Sequence, residues 1–249
     1  MSSQTRRRSA SVHGHRVAST VDLFRALKRS DSAAEPQAAD LASAGTTGLP
    51  PQAPPFLKDL PPEGVVYEPE QRITKDLKAI IEENYYGAFF GNAIEAVSAQ
   101  KIPELDRIKT LDQFYFYVDA LVTWIPETRV WDWDGEMLHE RTVYLRITQF
   151  YYYFNHPQLE ALQSPIAPVE GRKLSPISRW LRDFAVEWGA FLDTLESKKY
   201  LESFKYAPEY TWQDSEIPRE GYATFNEFFA RKFKNGRKWV GPGSLEPPF

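Results

Sequence analysis

Residues 175–192 read SPISRWLRDFAVEWGAFL and predict one long amphipathic helix. Ser175 is a good N-cap, because its hydroxyl can accept a backbone N–H of the first turn, and Pro176 suits the first helical position. The apolar residues that follow recur at spacings of three and four: Ile177, Trp180, Leu181, Phe184, Trp188, Phe191 and Leu192. Such a stripe is typical of a helix packed on a core, so these rings are interpreted as core rather than as a binding site.

Three upstream segments show the same helical period. The first carries an apolar stripe that ends near Asn84: Ile73, Leu77, Ile80 and Ile81. A shorter helix is predicted over 91–100. A further helix begins at Thr110, whose spacing from Gln113 is that of a capping box, and Pro126 ends it.

Residues 128–135 are predicted as a loop, and Glu136 to about Phe154 as a long helix. The buried side of that helix is predicted to carry Val143, Ile147, Phe150, Tyr151 and Phe154. No internal repeat and no strand is predicted. The sequence therefore predicts an all-α fold, a single domain of about five to seven amphipathic helices over 63–238.

Residues 1–62 are predicted to form a disordered arm, because they are rich in Ser, Ala, Arg and Pro and cannot bury enough apolar surface to offset chain entropy. Four arginines and no acidic residue lie in its first 20 positions, and 21–29 is weakly amphipathic. This pattern suits a mitochondrial presequence or an ordinary basic tail with Ser9 as a kinase target. Asp22 interrupts the basic run and favours the tail, hence a cytoplasmic location with the mitochondrion as alternative.

Composition limits the function classes. The net charge of the 249 residues is −4, whereas nucleic-acid-binding domains present a concentrated basic face, so no nucleic-acid partner is expected. The chain contains no cysteine, which excludes disulfides, thiolate metal sites and cysteine nucleophiles. No apolar run approaches the ~20 residues that cross a bilayer.

Near the C-terminal end, residues 222–233 read YATFNEFFARKF and predict a second, short amphipathic helix. Thr224 and Glu227 have capping-box spacing, which marks the helix start. Phe225, Phe228 and Phe229 then share one face, while the charged residues take the other. This pattern is typical of a helix that docks on another surface.

The same segment resembles the phosphatidylserine decarboxylase family, in which a Phe-Asn-Asp/Glu-Phe-Phe-x-Arg-Lys/Arg run precedes a β-rich catalytic domain. The matching residues are Phe225, Asn226, Glu227, Phe228, Phe229, Arg231 and Lys232, here called the docking motif. Upstream, residues 188–192 and 198–201 resemble the helical region of the branch that includes the fungal L-tryptophan decarboxylase of psilocybin biosynthesis. The resemblance spans roughly Leu57 to Lys238.

This resemblance implies a carboxy-lyase whose catalytic domain cleaves itself at a Gly-Ser pair to form a pyruvoyl group, the electron sink for decarboxylation. Gly243-Ser244 is the chain's one such pair, but it follows Pro242 and lies in a Pro/Gly-rich tail over 239–249. We interpret it as linker. The chain is thus expected to carry no cofactor and no catalytic residue of its own, and to be truncated or separated from the catalytic half.

Two functions from different classes follow. In the first, the chain is the accessory domain of a phospholipid or aromatic amino-acid decarboxylase, and its partner is the catalytic domain or subunit. In the second, it is an independent protein- or lipid-binding module, with peripheral membrane contact through the same aromatic face. Exposure of Phe225, Phe228 and Phe229 would indicate a partner, whereas their burial would indicate a core role.

Two minor candidates lie in the predicted loop and the helix after it. Trp131 and Asp134 could embrace a cationic amine through a ring face and a carboxylate, although a loop tryptophan more often anchors the loop. Glu136 and His139 have a spacing that helical metal sites use. Two ligands are too few for a metal site, so a solvated face is the preferred interpretation and no metal is expected.

Overall fold

The computed structural model describes residues 53–131, 136–165 and 173–234, and this part of the chain is mostly helical. Its α-helices are α1 (Arg72–Glu83), α2 (Gly87–Ser98), α3 (Leu111–Val122), α4 (Thr142–Phe154), α5 (Pro157–Glu160), α6 (Pro176–Leu192) and α7 (Phe225–Phe229). A two-stranded sheet is formed by β1 (Arg129–Trp131) and β2 (Met137–Glu140). Short 3-10 helices are Leu105–Arg107, Leu195–Lys198, Leu201–Lys205, Pro208–Tyr210 and Trp212–Asp214.

The α3 helix lies at the centre of the fold. It packs against α1, α2 and α6, while α4 packs on α2, and α7 rests on α6. Rings from four helices meet in the core, where Phe114 of α3 lies 4.9 Å from Tyr153 of α4, centroid to centroid. Trp180 ties α6 to α1 by donating its indole N–H to the carbonyl of Ile73 (2.7 Å). The α6 stripe predicted as core is therefore a packing surface, with its inner rings fully buried.

The predicted helix starts are confirmed where capping chemistry marked them. Thr110 accepts the backbone N–H of Gln113, and the Gln113 side chain accepts the N–H of Thr110, a complete capping box. Ser175 accepts the N–H of Ser178 in front of Pro176. Helix α1 ends at Glu83 as expected, and Tyr85 follows with a left-handed φ of 57°. The predicted helix over 91–100 begins earlier, at Gly87.

The prediction of an all-α fold is incomplete, because the segment after β1 is paired as a strand. The predicted helix from Glu136 starts only at Thr142. Arg129 lies opposite Glu140 across the antiparallel pair, and the Thr128 hydroxyl donates to the Glu140 carbonyl (3.0 Å). Residues 136–140 contain good helix formers, so local propensity favoured a helix, but cross-strand contacts outweigh it here.

The buried side of α4 also differs from the prediction. Val143, Phe150 and Phe154 are buried as expected, but Ile147 and Tyr151 point outward. Arg146 and Gln149 take the inner positions instead. Periodicity assigns charged residues to the surface, and the prediction failed because this arginine has a partner inside the protein.

Arg146 forms a buried polar network with the segment before α3. It donates from both terminal nitrogens of the guanidinium to Glu104, with Nη2 to Oε1 at 2.9 Å, and from Nη1 to the amide oxygen of Gln149 (2.9 Å). Gln149 in turn donates to the carbonyl of Pro103 (2.9 Å). The Phe56 ring covers the guanidinium at 3.8 Å. Because the two terminal guanidinium nitrogens are paired with Glu104 and Gln149, the helix can turn its charged residue inward, although the buried Nε has no hydrogen-bond partner among the described residues.

The packed part of the chain reaches back to Ala53, inside the segment predicted as arm. Phe56 and Leu57 are buried, and the Ala53 N–H donates to buried Glu127 (2.9 Å). Residues 1–52 of that arm and the tail over 239–249, including Ser244, lie outside the described residues. Within the described ranges, no helix combines the length and apolar content needed to span a bilayer.

Candidate functional site

The docking motif forms helix α7 and the turn after it. Thr224 caps the helix by accepting the Glu227 N–H on its hydroxyl (3.1 Å). The Glu227 carboxylate accepts the N–H of Ala223, one residue before the position that a complete capping box would use. The predicted helix start is therefore confirmed, and both residues of the cap fix the direction in which the chain enters α7.

Phe228 is fully buried at the centre of an aromatic cluster. Ring centroids of five residues surround it at 5.1–6.2 Å: Phe204, Trp212, Tyr222, Phe225 and Tyr210. We call these six residues the Phe228 cluster. Tilted and edge-on rings at these distances each add to the gain from burying their area. The cluster holds α7 in place without Phe229, the third phenylalanine of the motif.

Arg231 closes the cluster on one side. Its guanidinium lies 4.4 Å from the Phe228 ring centroid and donates to the Ser215 hydroxyl (3.0 Å), to the Phe228 carbonyl (3.2 Å) and to the Tyr210 carbonyl. Burial lowers the pKa of Arg231 from its ordinary value. This half-buried charge therefore joins α7 to the preceding 3-10 helices.

Two further motif residues attach α7 to α6. The Phe225 N–H donates to the Ser197 hydroxyl (2.9 Å), which itself donates to the carbonyl of Leu192, the last residue of α6, and to that of Thr194 just after it. The Asn226 amide donates to the Gly189 carbonyl on α6 (3.0 Å). Asn226 and Phe225 thus satisfy backbone groups that a helix terminus otherwise leaves open.

Phe229, by contrast, is exposed. It stacks on Phe225 at 6.0 Å and 27°, yet 66% of the residue is accessible. Val186 on α6 (68%) and Leu195 just after α6 (69%) are equally open. Because Asn226 and Ser197 join these elements, we call Phe229, Val186 and Leu195 the Phe229 surface. Two charged residues of the motif, Glu227 and Lys232, are also exposed.

The structure divides the motif in a way that spacing did not predict. One face of α7 was expected to carry all three phenylalanines. The helix has only five residues, little more than one turn, and only Phe225 and Phe228 are buried. The partners of Phe228 were missed because Phe204, Tyr210 and Trp212 belong to 3-10 helices, which have no amphipathic period. Their one sequence signal is the high density of aromatic residues between 200 and 222.

The minor candidates lie elsewhere. Trp131 is half-buried in β1, with its ring edge-on to Tyr206 at 4.9 Å, and Asp134 lies outside the described residues. His139 lies in β2, where the helical spacing from Glu136 does not apply, and its Nε2 is 3.0 Å from the Glu209 carboxylate. No group of three or more potential metal ligands occurs in the described ranges.

Comparisons with known proteins give no match. No protein-family model matches the chain, and no curated protein or solved structure is significantly similar to it. The resemblance of residues 222–233 to the decarboxylases therefore rests on the motif itself, and the role of this surface is inferred from its geometry.

Proposed function

We propose that the chain is the accessory helical domain of a phosphatidylserine decarboxylase-like enzyme and that the Phe229 surface docks the pyruvoyl-forming catalytic half. The division of the docking motif carries this proposal. Phe225, Phe228 and Arg231 hold α7 in place, while Phe229 stays in solvent. The residues that anchor α7 thus leave one aromatic side chain exposed on it.

The Phe229 surface has the composition of a binding site. Trp, Tyr, Phe and Met are enriched where proteins meet, and a few central residues supply most of the affinity. Phe229, Val186 and Leu195 are each about two-thirds exposed. In the proposal, Phe229 is the central anchor, and the exposed Lys232 and Glu227 lie at the rim.

Decarboxylation needs an electron sink for the carbanion left when carbon dioxide departs. In the proposal the catalytic half supplies a pyruvoyl carbonyl, and this chain supplies only the docking surface. The substrate class is L-tryptophan or phosphatidylserine, as the two branches of the resemblance imply. The proposed compartment is the cytoplasm, with the mitochondrion as the alternative.

The first experiment measures carbon dioxide release from L-tryptophan and from phosphatidylserine by the purified chain, with its intact mass recorded. We expect neither substrate to react and the mass to equal that of the uncleaved chain. Self-cleavage with formation of a pyruvoyl terminus would overturn the proposal. Ser244 would then be the first residue to test as the source of the pyruvoyl group.

The second experiment tests docking. The chain is co-expressed with the catalytic half of a family member that lacks its own helical region, and self-cleavage and carbon dioxide release are measured. Phe229→Asp is expected to reduce both at least tenfold, because it places a charge in an apolar contact. Val66→Asp, at a site 73% exposed and outside the motif, is the matched control and should change neither.

Either of two results would contradict docking through this surface. One is equal activation by the wild-type chain and Phe229→Asp. The other is absence of a complex although both proteins are folded, which would favour an independent binding module. Circular dichroism of each variant distinguishes these results from misfolding, because the helical signal should be the same in all three proteins.

A further inference from the structure

A cleft opens where the end of α1, the start of α2 and the start of α3 meet. Its volume is about 490 Å³, which lies in the range of small-molecule sites. Leu111 and the buried Ile81 supply apolar surface to its lining. Glu82, Asp112 and Tyr115 supply polar groups. We call this space the α1–α3 cleft.

Tyr115 lines the cleft with a hydroxyl that the rest of the described fold does not use. Only 3% of the residue is exposed, and its hydroxyl forms no hydrogen bond with any residue that the structure describes. Burial raises the pKa of this hydroxyl above its ordinary value, and the negative charges of Glu82 and Asp112 raise it further. The group therefore stays protonated at neutral pH, and its oxygen can accept a hydrogen bond. Because buried polar groups are normally paired, this hydroxyl is a candidate ligand contact.

The two carboxylates in the cleft favour a cation. Glu82 lies in the last turn of α1, which contains no basic residue, and its side chain pairs with no described residue. A carboxylate is unfavourable there, because the C-terminal end of a helix carries partial negative charge. Asp112 accepts the Tyr67 N–H on one oxygen (3.0 Å), and its second oxygen accepts no hydrogen bond within the described ranges.

Lys78 also lines the cleft, but its charge is already matched. Its Nζ lies 3.2 Å from each carboxylate oxygen of Glu68. Lys78 therefore does not neutralise Glu82 or Asp112, and a positively charged ligand can offset them.

Tyr85 adds an aromatic ring at the mouth of the cleft. It follows α1 with a left-handed φ of 57°, at a position where helices usually carry Gly or Asn. The residue is 89% exposed. A bulky side chain is uncommon in this backbone region, and such strain is found mainly where function uses it. The face of an exposed aromatic ring attracts cations.

We propose that the α1–α3 cleft binds a primary ammonium group attached to a flat apolar body. The three N–H donors of the ammonium match acceptors on Glu82, Asp112 and Tyr115. The apolar body packs against Leu111 and the Tyr85 ring. An organic cation is favoured over a divalent metal, because two carboxylates and one hydroxyl fall short of the oxygen ligands that Ca²⁺ requires.

Ligand-observed NMR on the full chain tests this proposal with phenethylamine as the probe. Phenethyl alcohol and hydrocinnamate keep the ring and replace the ammonium by a neutral and by a negative group. We expect the amine to bind about tenfold more tightly than the alcohol, because two carboxylates attract it. Hydrocinnamate should not bind. Equal binding of amine and alcohol, or no binding of the amine, would overturn the proposal.

Substitutions then locate the site. Glu82→Gln should weaken phenethylamine binding about fivefold, since it removes a unit charge beside the ammonium. Tyr115→Phe should weaken it by a similar factor, because it removes one acceptor and keeps the ring. Glu83→Gln is the matched control and should change the affinity less than about twofold. Glu83 is adjacent to Glu82 and also exposed, but it does not line this cleft.

The melting temperature separates a binding role from a structural one. The Glu82 carboxylate and the Tyr115 hydroxyl form no hydrogen bond within the described part of the chain, so neither variant should lower the Tm. A lower Tm in both variants would assign these side chains a structural role instead.

Three further results would overturn the proposal. Unchanged affinity in Glu82→Gln and Tyr115→Phe would show that the amine binds elsewhere. An equal loss in Glu83→Gln would show general attraction to an acidic surface. Displacement of the amine by magnesium chloride, but not by sodium chloride of equal ionic strength, would show that the cleft takes a metal ion. The Phe229 surface shares no residue with the cleft, so amine binding and docking can fail separately.

Discussion

Helices α4 and α7 are both rich in aromatic residues and both bury rings, but α4 also buries a charged side chain. In α7 the buried residues are Phe225 and Phe228, and five rings surround Phe228. In α4 the inward positions include Arg146 and Gln149, and the apolar Ile147 is partly exposed. An aromatic pattern alone therefore does not determine which face of a helix is inside, because a well-paired charge can displace it.

The two helices also obtain their stability differently. The Phe228 cluster gains mainly from the apolar area removed from water. The Arg146 network depends instead on the pairing of its terminal guanidinium nitrogens with the Glu104 carboxylate, since an unpaired buried charge costs several kcal/mol. Substitutions in the two helices should therefore differ in how much they lower the free energy of unfolding and in which second substitution restores it.

The largest expected effect comes from Phe228. Phe228→Ala should lower the free energy of unfolding by about 4 kcal/mol, because it removes a fully buried ring and leaves a cavity. Phe229→Ala, one residue away and mostly exposed, should change it by less than about 0.5 kcal/mol. Urea unfolding of both variants measures the difference. Equal losses would mean that Phe229 is also a core residue and would remove the basis for docking.

Arg146 should give the next largest effect. Arg146→Ala should cost about 3 kcal/mol, because it leaves Glu104 and Gln149 without their shared donor. Arg182→Ala is the matched control, since Arg182 pairs on the surface with its neighbour Asp183 (2.7 Å) and should cost under about 0.5 kcal/mol. Thermal or urea unfolding separates the two.

A double variant tests whether the network or only its charge matters. In Arg146→Met with Glu104→Met both ionic groups are replaced by apolar side chains, so stability should recover part of the loss seen in Arg146→Ala. Full additivity of the two single changes would contradict the direct pairing described here.

The smallest effect is a pH dependence at Glu127. Burial raises the pKa of this carboxyl above its ordinary value of 4.5, against the opposing effects of the Ala53 N–H and of Arg129. Because the folded pKa is the higher one, the stabilising contribution of this group is fully present below pH 4.5 and is lost as pH rises through the folded pKa. Glu127→Gln does not titrate. The stability of the wild-type chain relative to this variant should therefore fall from pH 4 to pH 8, and a rise would contradict the assignment.

Most of the helical framework is predictable from sequence, because local chemistry marks it. Thr110 and Ser175 cap the helices that follow them, and Trp180 lies on a stripe that indicates its burial. The hairpin at 129–140 and the inward turn of Arg146 are not predictable in this way. Both depend on contacts between distant residues, which periodicity does not contain.

The candidate site shows the same limit. The helix start at Thr224 follows from its capping chemistry, and the motif residues are recognisable from their order. The division between Phe228 and Phe229 follows instead from the aromatic residues of three short 3-10 helices and from Tyr222, and segments this short show no sequence period. The feature that carries the functional proposal thus appears only in three dimensions.

The most direct test is hydrogen exchange on the wild-type chain with and without the purified catalytic half of a decarboxylase of this family. The proposal predicts protection of the peptides that contain Phe229, Val186 and Leu195 on complex formation, and none over Tyr144 to Tyr151 of α4, which carries no residue of the docking motif. Protection confined to α4, or no complex between the folded proteins, would contradict it.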